Sequence, residues 1–385
     1  MEICVVWQES KHMLSKKESV ETSWSNPAFR VELREFPSTR YQGSKRKITP
    51  WLWECLRELD FSSALDVFGG TGSVSYLLKK MGKEVTYNDI LQFNHEIGVA
   101  LIENDNVILE QKDIDRAQLA APDVKHHFVR DTFRGVYFTD DENEWIDNTI
   151  AQINRFEFER EERTYKRALL YYSLFQSCLI KRPFNLFHRC NLYLRFARVN
   201  RRFGNKTSWD KPFNEHFARF CAEANKLVFR GQQRCRAIRY DALEIPDSGY
   251  DLVYIDPPYL TKDGANETSD YLKCYHFLEG LCNYVIWGNL IDYDSQNRQL
   301  KQTCTNRWIR RDHNAKAFDA LFEKFAKSII VVSYKKFGVP SIDTLIRMLR
   351  RHGKKVQSHS RHYKYALNHQ NGEARLNREV LLIAE

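Results

Sequence analysis

The sequence predicts an α/β fold in which one parallel sheet is split by a long, mainly helical insertion. Three observations carry that expectation. Residues 63–87 read as strand, glycine turn, helix, strand, which is one βαβ unit. The α/β rhythm then stops near residue 105 and resumes near residue 231. The stretch between is helical in pattern and rich in Arg, Lys and aromatic residues.

Residues 1–34 are polar and irregular and read as an N-terminal arm. A helix is expected over Thr49 to Leu59, with Pro50 in its first turn and Trp51, Leu52, Cys55, Leu56 and Leu59 as apolar positions. Ser63 to Phe68 is an apolar run of strand length, and Gly69 to Ser73 makes the turn after it. Val74 to Met81 continues as a helix stopped by Gly82, and Glu84 to Tyr87 as the second strand. Within the insertion the clearest helix runs from Glu161 to Leu179, followed by an irregular segment, 181–211. Four later segments read as strands: Ala237 to Tyr240, Leu252 to Ile255, Ser328 to Ser333 and Glu379 to Ala384. The expected organisation is therefore an arm (1–34), a split α/β domain (35–105 with 231–385) and an insertion (106–230).

The chain has 385 residues, 43% of them hydrophobic, which suffices for a real core. Its formal charge is +9, suited to a polyanionic partner. Nine cysteines are scattered with no C-x-x-C pair, arguing against a zinc site and against a secreted disulfide framework, and no metal is expected. No apolar run approaches the ~18 residues needed to span a bilayer. A cytoplasmic protein without a membrane partner is expected.

Asp66-Val-Phe68-Gly-Gly70-Thr-Gly72 sits where a strand hands over to a helix. Glycines there permit a sharp turn and a ligand lying against the backbone. The dinucleotide pattern needs a third glycine where Ser75 stands, so the loop need not cradle a pyrophosphate and suits a flatter ligand such as S-adenosylmethionine. Asp89, 23 residues after Asp66 and near the end of the second strand, suits hydrogen bonding to ribose hydroxyls. A glycine turn with a helix-capping Asp accounts for the same residues equally well.

Asp256-Pro257-Pro258-Tyr259 follows the apolar strand DLVYI. Each proline fixes its own φ and restricts the residue before it, so the loop is stiff and extended. Prolines also lack an N–H, which leaves the local carbonyls free to accept hydrogen bonds. Adenine's N6 lone pair is delocalised into the ring and is a poor nucleophile. The Asp256 carboxylate and the Pro257 carbonyl together accept its two N–H bonds and turn the lone pair toward a methyl donor, so positioning supplies much of the rate. Tyr259 would stack on a base taken out of the duplex. Strand ends are where open α/β sheets bind ligands, which favours this reading over a stiff surface turn.

Together these segments resemble the alpha-class, Dam-like DNA adenine-N6 methyltransferases, over about residues 34–385. The resemblance implies a Rossmann-like S-adenosylmethionine-dependent methyltransferase sheet with a target-recognition domain as its insertion. Arg40-Tyr41-Gln-Gly43-Ser44-Lys45 looks like the family's N-terminal cofactor motif, in which Tyr41 and Lys45 contact the methionine part of S-adenosylmethionine. Without the family it reads as a basic loop. The resemblance further assigns Asp66, Phe68, Gly70 and Gly72 to the cofactor loop, Asp89 to the ribose and Asp241 to the neighbourhood of the cofactor's adenine. Asp256-Pro-Pro-Tyr259 is the catalytic motif, and Tyr275-His276-Phe-Leu-Glu-Gly280 and Val332-Ser333-Tyr334 resemble weaker motifs that shape the base pocket. The implied context is double-stranded DNA in a bacterium, archaeon or phage, with a cognate restriction endonuclease as a possible partner.

Residues 181–211 carry nine Lys and Arg against one acid, Asp210. Side chains at that density neutralise phosphates, and Arg also reads guanine edges. Arg195, Arg198, Arg201 and Arg202 are the expected DNA contacts, while Phe184, Phe187, Tyr193, Phe196 and Phe203 are expected to form the insertion's small core. Four rivals stand beside adenine-N6 methylation. RNA methylation is one, but its adenine enzymes commonly end the tetrapeptide in Trp rather than the Tyr259 found here. Cytosine-C5 chemistry needs a nucleophilic Cys, usually after Pro, and no Pro-Cys pair occurs. Cytosine-N4 enzymes more often carry Ser at the position of Asp256. A silent methyltransferase fold acting as a DNA-binding subunit would not need the full catalytic set.

Overall fold

The computed structural model describes residue 36 and residues 41–121, 127–156, 160–197, 206–260, 269–302, 306–362 and 378–385. The expected arm (1–34), Arg40, Arg198, Arg201, Arg202 and Phe203 lie outside them.

Helix α1 (Thr49–Leu56) leads into β1 (Ser63–Asp66), α2 (Ser73–Lys80) and β2 (Glu84–Asn88). The helix after β2, α3 (Gln92–Gly98), is followed by a π-type turn, Val99–Glu103. The long insertion helices are α4 (Asp140–Arg155), α5 (Arg160–Ile180) and α6 (Phe213–Leu227). β3 (Arg236–Ile238) and β4 (Leu252–Ile255) precede α7 (Tyr271–Cys282) and α8 (Arg311–Lys324). The chain ends with β5 (Ile329–Lys335), α9 (Ile342–Arg351), β6 (Val356–His362) and β7 (Arg378–Ala384).

The seven strands form one sheet in the order β3-β2-β1-β4-β5-β7-β6. The first five are mutually parallel, while β7 runs antiparallel between β5 and β6. From β1 the chain steps outward to β2 and β3, then crosses back to β4 beside β1, pairing Asp66 with Tyr254. Strand order reverses there, and such switch points are where open α/β sheets bind ligands beyond the carboxyl ends of their strands.

Alternating side chains bury both faces of the sheet. Ala64, Val85, Tyr87, Leu252 and Tyr254 belong to one core, Leu65, Val67, Val253 and Ile255 to the other. The first core runs without a break into the insertion, where Phe175 of α5 meets Phe93 of α3 edge-on at 5.9 Å. It also takes in α7, whose Phe277 stacks on Phe187 at 5.0 Å. The helices of 106–230 thus pack on the sheet's own helices, and α7 from the second half of the sheet domain joins them.

The sequence-predicted strands all form, Leu252–Ile255 with the expected ends and the others with ends shifted by at most two residues. The first helix stops at Leu56, short of the expected Leu59. β6 was not expected, because VQSHSRH has no apolar alternation. It is one of the sheet's two outer strands, mostly exposed, and depends on its register with β7. The aromatics of 181–211 need a correction. Phe187 is buried, but Phe184, Tyr193 and Phe196 are 48%, 68% and 62% exposed. The small core is instead built from Phe133, Tyr137, Phe138, Phe187, Phe277 and Trp287.

Candidate active site

One cleft of about 290 Å³ opens at the switch point. Its wall includes Tyr41, Lys45, Asp66, Phe68, Gly70, Asp89, Asp241, Asp256 and Pro258, drawn from segments far apart in the chain. Pro257 and Tyr259 stand beside it, and Gly72 serves the loop from beneath.

The glycine loop takes its shape from left-handed backbone at Gly70 (φ 50°) and Gly72 (φ 75°), where a side chain would be strained. Asp89 fixes that shape from the neighbouring strand. Its Oδ2 accepts from the Gly70 N–H at 3.0 Å and from Asn94 Nδ2 at 3.1 Å, and its Oδ1 from the Leu91 N–H at 2.9 Å. Asn94 also donates to the Tyr41 hydroxyl at 3.1 Å, joining the RYQGSK segment to the same corner. Burial pushes the Asp89 carboxyl up to about 6.

Asp66, at the end of β1, is buried and raised to about 7, chiefly by desolvation. Ser75 donates to its Oδ2 at 2.7 Å, but its buried Oδ1 has no hydrogen-bond partner among the described residues. Phe68 meets Trp308 edge-on at 4.9 Å, an apolar corner that also lines the cleft. Asp241 holds a local turn by accepting from the Leu243 N–H at 2.9 Å.

The catalytic motif sits in a polar knot. Lys45, 4% exposed, places Nζ 2.9 Å from Asp256 Oδ1, 3.0 Å from Glu379 Oε1 and 2.6 Å from the Tyr259 hydroxyl. Tyr259 donates to Asp256 Oδ1 at 2.6 Å, and its ring is held edge-on by Tyr334 at 5.3 Å. Burial works against the Lys45 ammonium, but Asp256 and Glu379 outweigh it and hold its pKa above the ordinary lysine value. Burial likewise raises Asp256 to about 6, with Glu379 adding to the rise and Lys45 opposing it.

Lys45 lines the cleft, and its ammonium is already engaged by neighbouring side chains. An ammonium has three N–H groups, and all three are directed to Asp256, Glu379 and Tyr259. Tyr41 stacks on Tyr275 at 4.5 Å and on Tyr271 at 5.5 Å, the three rings forming one cluster. Tyr275, expected to shape the base pocket, is wholly buried and accepts from the Gln42 N–H at 2.8 Å, so it anchors the RYQGSK segment. His276 is an internal structural residue. Its Nε2 lies 2.7 Å from the Tyr137 hydroxyl and 3.1 Å from the Phe187 carbonyl, and burial lowers it to about 3.

Arg195 is a further correction. It is 5% exposed, and its guanidinium forms a two-point pair with Glu142 at 2.6 and 2.7 Å and donates to the Trp209 carbonyl at 2.9 Å. Lys181 joins the same carboxylate at 2.7 Å, and Arg182 is buried over Tyr137 while donating to the carbonyls of Leu186 and Arg189. Three of the nine basic residues in 181–211 thus serve the fold. The count of charges per segment carries no information on which way each points.

Sequence reasoning missed Glu379, Trp308 and Tyr271. Only Glu379 had a signal, an acid at the head of an otherwise apolar strand (EVLLIA). Trp308 and Tyr271 reach the cleft by topology alone.

A model of the D12 class N6 adenine-specific DNA methyltransferases matches residues 41–348. The chain is also 27% identical over 329 residues to the Type II methyltransferase M2.HphI of Haemophilus parahaemolyticus, covering 84% of this chain and 90% of the relative. The match takes in the glycine loop, the insertion and the Asp-Pro-Pro-Tyr strand end, and the chain belongs to the D12 class of N6 adenine-specific DNA methyltransferases.

Proposed function

We propose that this chain methylates N6 of an adenine flipped out of double-stranded DNA, at specific sites, with Asp256 and the Pro257 carbonyl taking the amino hydrogens. The observation that carries the residue roles is the shared cleft. It brings Asp256 and Pro258 of one strand end beside Asp66, Gly70 and Asp89 of two others. The residues suit S-adenosylmethionine. The buried Oδ1 of Asp66, without a partner among the described residues, is an acceptor suited to the methionine ammonium. Asp89 and Asp241 offer acceptors to ribose and adenine groups, and Phe68 with Trp308 offers an apolar wall to a flat ring. When bound, S-adenosylmethionine supplies an electrophilic methyl group on a sulfonium that departs as a neutral thioether.

The protein's part is positional and electrostatic. Every contact to the Asp256 carboxylate from described residues falls on Oδ1, which leaves Oδ2 for the substrate amino group. A carboxylate raised to about 6 is also a competent holder of the proton that N6 must lose. Tyr259, tied by its hydroxyl, offers its ring to the extruded base. Arg198, Arg201 and Arg202 supply phosphate contacts in this reading, and the exposed Phe184, Tyr193 and Phe196 lie in the same segment.

Similarity to a Type II methyltransferase supports a restriction–modification setting with a cognate endonuclease, in a prokaryotic or phage-infected cytoplasm. Among the described residues no helix is long and apolar enough to cross a membrane. The test is to express the chain in a host lacking adenine methylation and map modified bases across its genome. Modified adenines confined to one short sequence are expected, and modification of cytosines or of adenines at random would overturn the proposal.

A further inference from the structure

The polar knot holds one residue that no part of the proposed chemistry uses. Glu379, the second residue of β7, is 0% exposed and pairs across the sheet with Lys335. Its Oε1 accepts from Ser333 at 2.7 Å, meets Lys45 Nζ at 3.0 Å and lies 3.0 Å from the Tyr259 hydroxyl. One ammonium thus stands between two carboxylates, one of them in the catalytic motif.

Packing does not call for this. A neutral side chain of similar size would fill the position without burying a second carboxylate beside Asp256, and buried charge is retained only where it is paired and placed. We propose that Glu379 is a positioning residue: by sharing the Lys45 ammonium it stops Lys45 from closing on Asp256 alone, leaving Asp256 Oδ2 open to the substrate amino group. Ser333 fixes the carboxylate that does the sharing, and Tyr259 closes the circuit through its hydroxyl.

This inference rests on the reading of Asp256 as the acceptor for N6. The groups facing Asp256 come from every element around it: Lys45, Tyr259, Glu379, Asp66 of β1, Tyr254 of β4 and Tyr271 of α7. Lys335 of β5 faces Glu379 from the other side. Removing the Glu379 charge ends its repulsion of Asp256 and gives Lys45 wholly to Asp256. Both changes lower the pH at which Asp256 ionises and tie its carboxylate more tightly to the lysine.

The experiment is single-turnover methylation of duplex DNA by the full chain between pH 5 and 9. Wild type, Glu379→Gln, Ser333→Ala and Asp256→Asn are compared, with S-adenosylmethionine affinity and melting temperature measured in parallel. Glu379→Gln should lose on the order of tenfold in maximal rate with cofactor affinity within about threefold of wild type. Its acid limb should move to lower pH by about one unit. Ser333→Ala should move both quantities the same way by less. A wild-type rate and limb in Glu379→Gln, or a slower enzyme whose limb has not moved, overturns the proposal. If Glu379→Gln does not fold, Ser333→Ala decides, and no change in its rate and limb overturns the proposal. Asp256→Asn separates the two claims: wild-type turnover in that variant overturns the reading of Asp256, whereas an inactive Asp256→Asn beside an unaffected Glu379→Gln overturns the role of Glu379 alone.

Discussion

The pH dependence of methyl transfer follows from the burial of Asp256. In the proposed reaction Asp256 is a strong, charge-assisted acceptor for N6, and can hold the proton N6 loses, only when ionised. Desolvation, with help from Glu379 and against Lys45, raises its pKa to about 6. The sign is therefore fixed. Activity is present above that value and lost as pH falls through it. A group titrating near 6 is about 90% ionised at pH 7 and about 10% at pH 5, so the transfer rate should drop about tenfold over that interval. An ordinary exposed aspartate would remain about 90% ionised at pH 5 and lose almost nothing. The assay is single-turnover transfer from tritiated S-adenosylmethionine with both ligands saturating, so that the limb belongs to the ternary complex. DNA and cofactor binding are checked at each pH. A rate that stays flat from pH 7.5 to pH 5 would refute the argument, because it would mean that Asp256 is either solvated or not the acceptor.

Three other outcomes are expected. Asp66 has a folded pKa of about 7, above its ordinary 3.8, so the folded state keeps a proton that the unfolded chain releases. Stability should then fall as pH rises between about 4 and 7, and ligand-free Asp66→Asn should melt above wild type at pH 8 but bind S-adenosylmethionine less tightly. A differential scanning fluorimetry series in pH checks this, and an unchanged melting curve contradicts it. Glu142 holds Arg195 and Lys181 inside the insertion, so Glu142→Gln should cost about 3–5 kcal/mol in urea unfolding by stranding buried cations, a loss absent if the pairs are dispensable. Reversing the charge at Arg201 and Arg202 should weaken DNA binding and flatten its salt dependence, whereas Arg195→Met should leave that salt slope alone and act on stability instead.

Much of the sheet was legible because its strands are buried on both faces and read as apolar runs ending in glycine or proline signals. LDVF before Gly-Gly and VYI before Asp-Pro-Pro-Tyr locate β1 and β4 almost to the residue. β6 was not legible, since an outer strand with exposed side chains owes its conformation to hydrogen bonds with β7 and leaves no hydrophobic period. The cleft was legible where chemistry is local, as in the glycine loop and the Asp-Pro-Pro-Tyr turn. It was illegible where the partner is distant. Lys45 and Glu379 lie at opposite ends of the chain, and only the antiparallel placement of β7 beside β5 brings Glu379 to the knot. Arg195 shows the same limit from the other side. Its charge was visible in the sequence, but the Glu142 that turns it inward lies 53 positions earlier on another helix.

The most direct test of adenine-N6 transfer through Asp256 is to incubate the full chain with tritiated S-adenosylmethionine and mixed-sequence duplex DNA, digest to nucleosides and separate them. Label should appear in N6-methyl-2′-deoxyadenosine for wild type and vanish for Asp256→Ala while cofactor and DNA binding persist. Label in N4-methyl-2′-deoxycytidine, or near-normal incorporation by Asp256→Ala, would contradict the account.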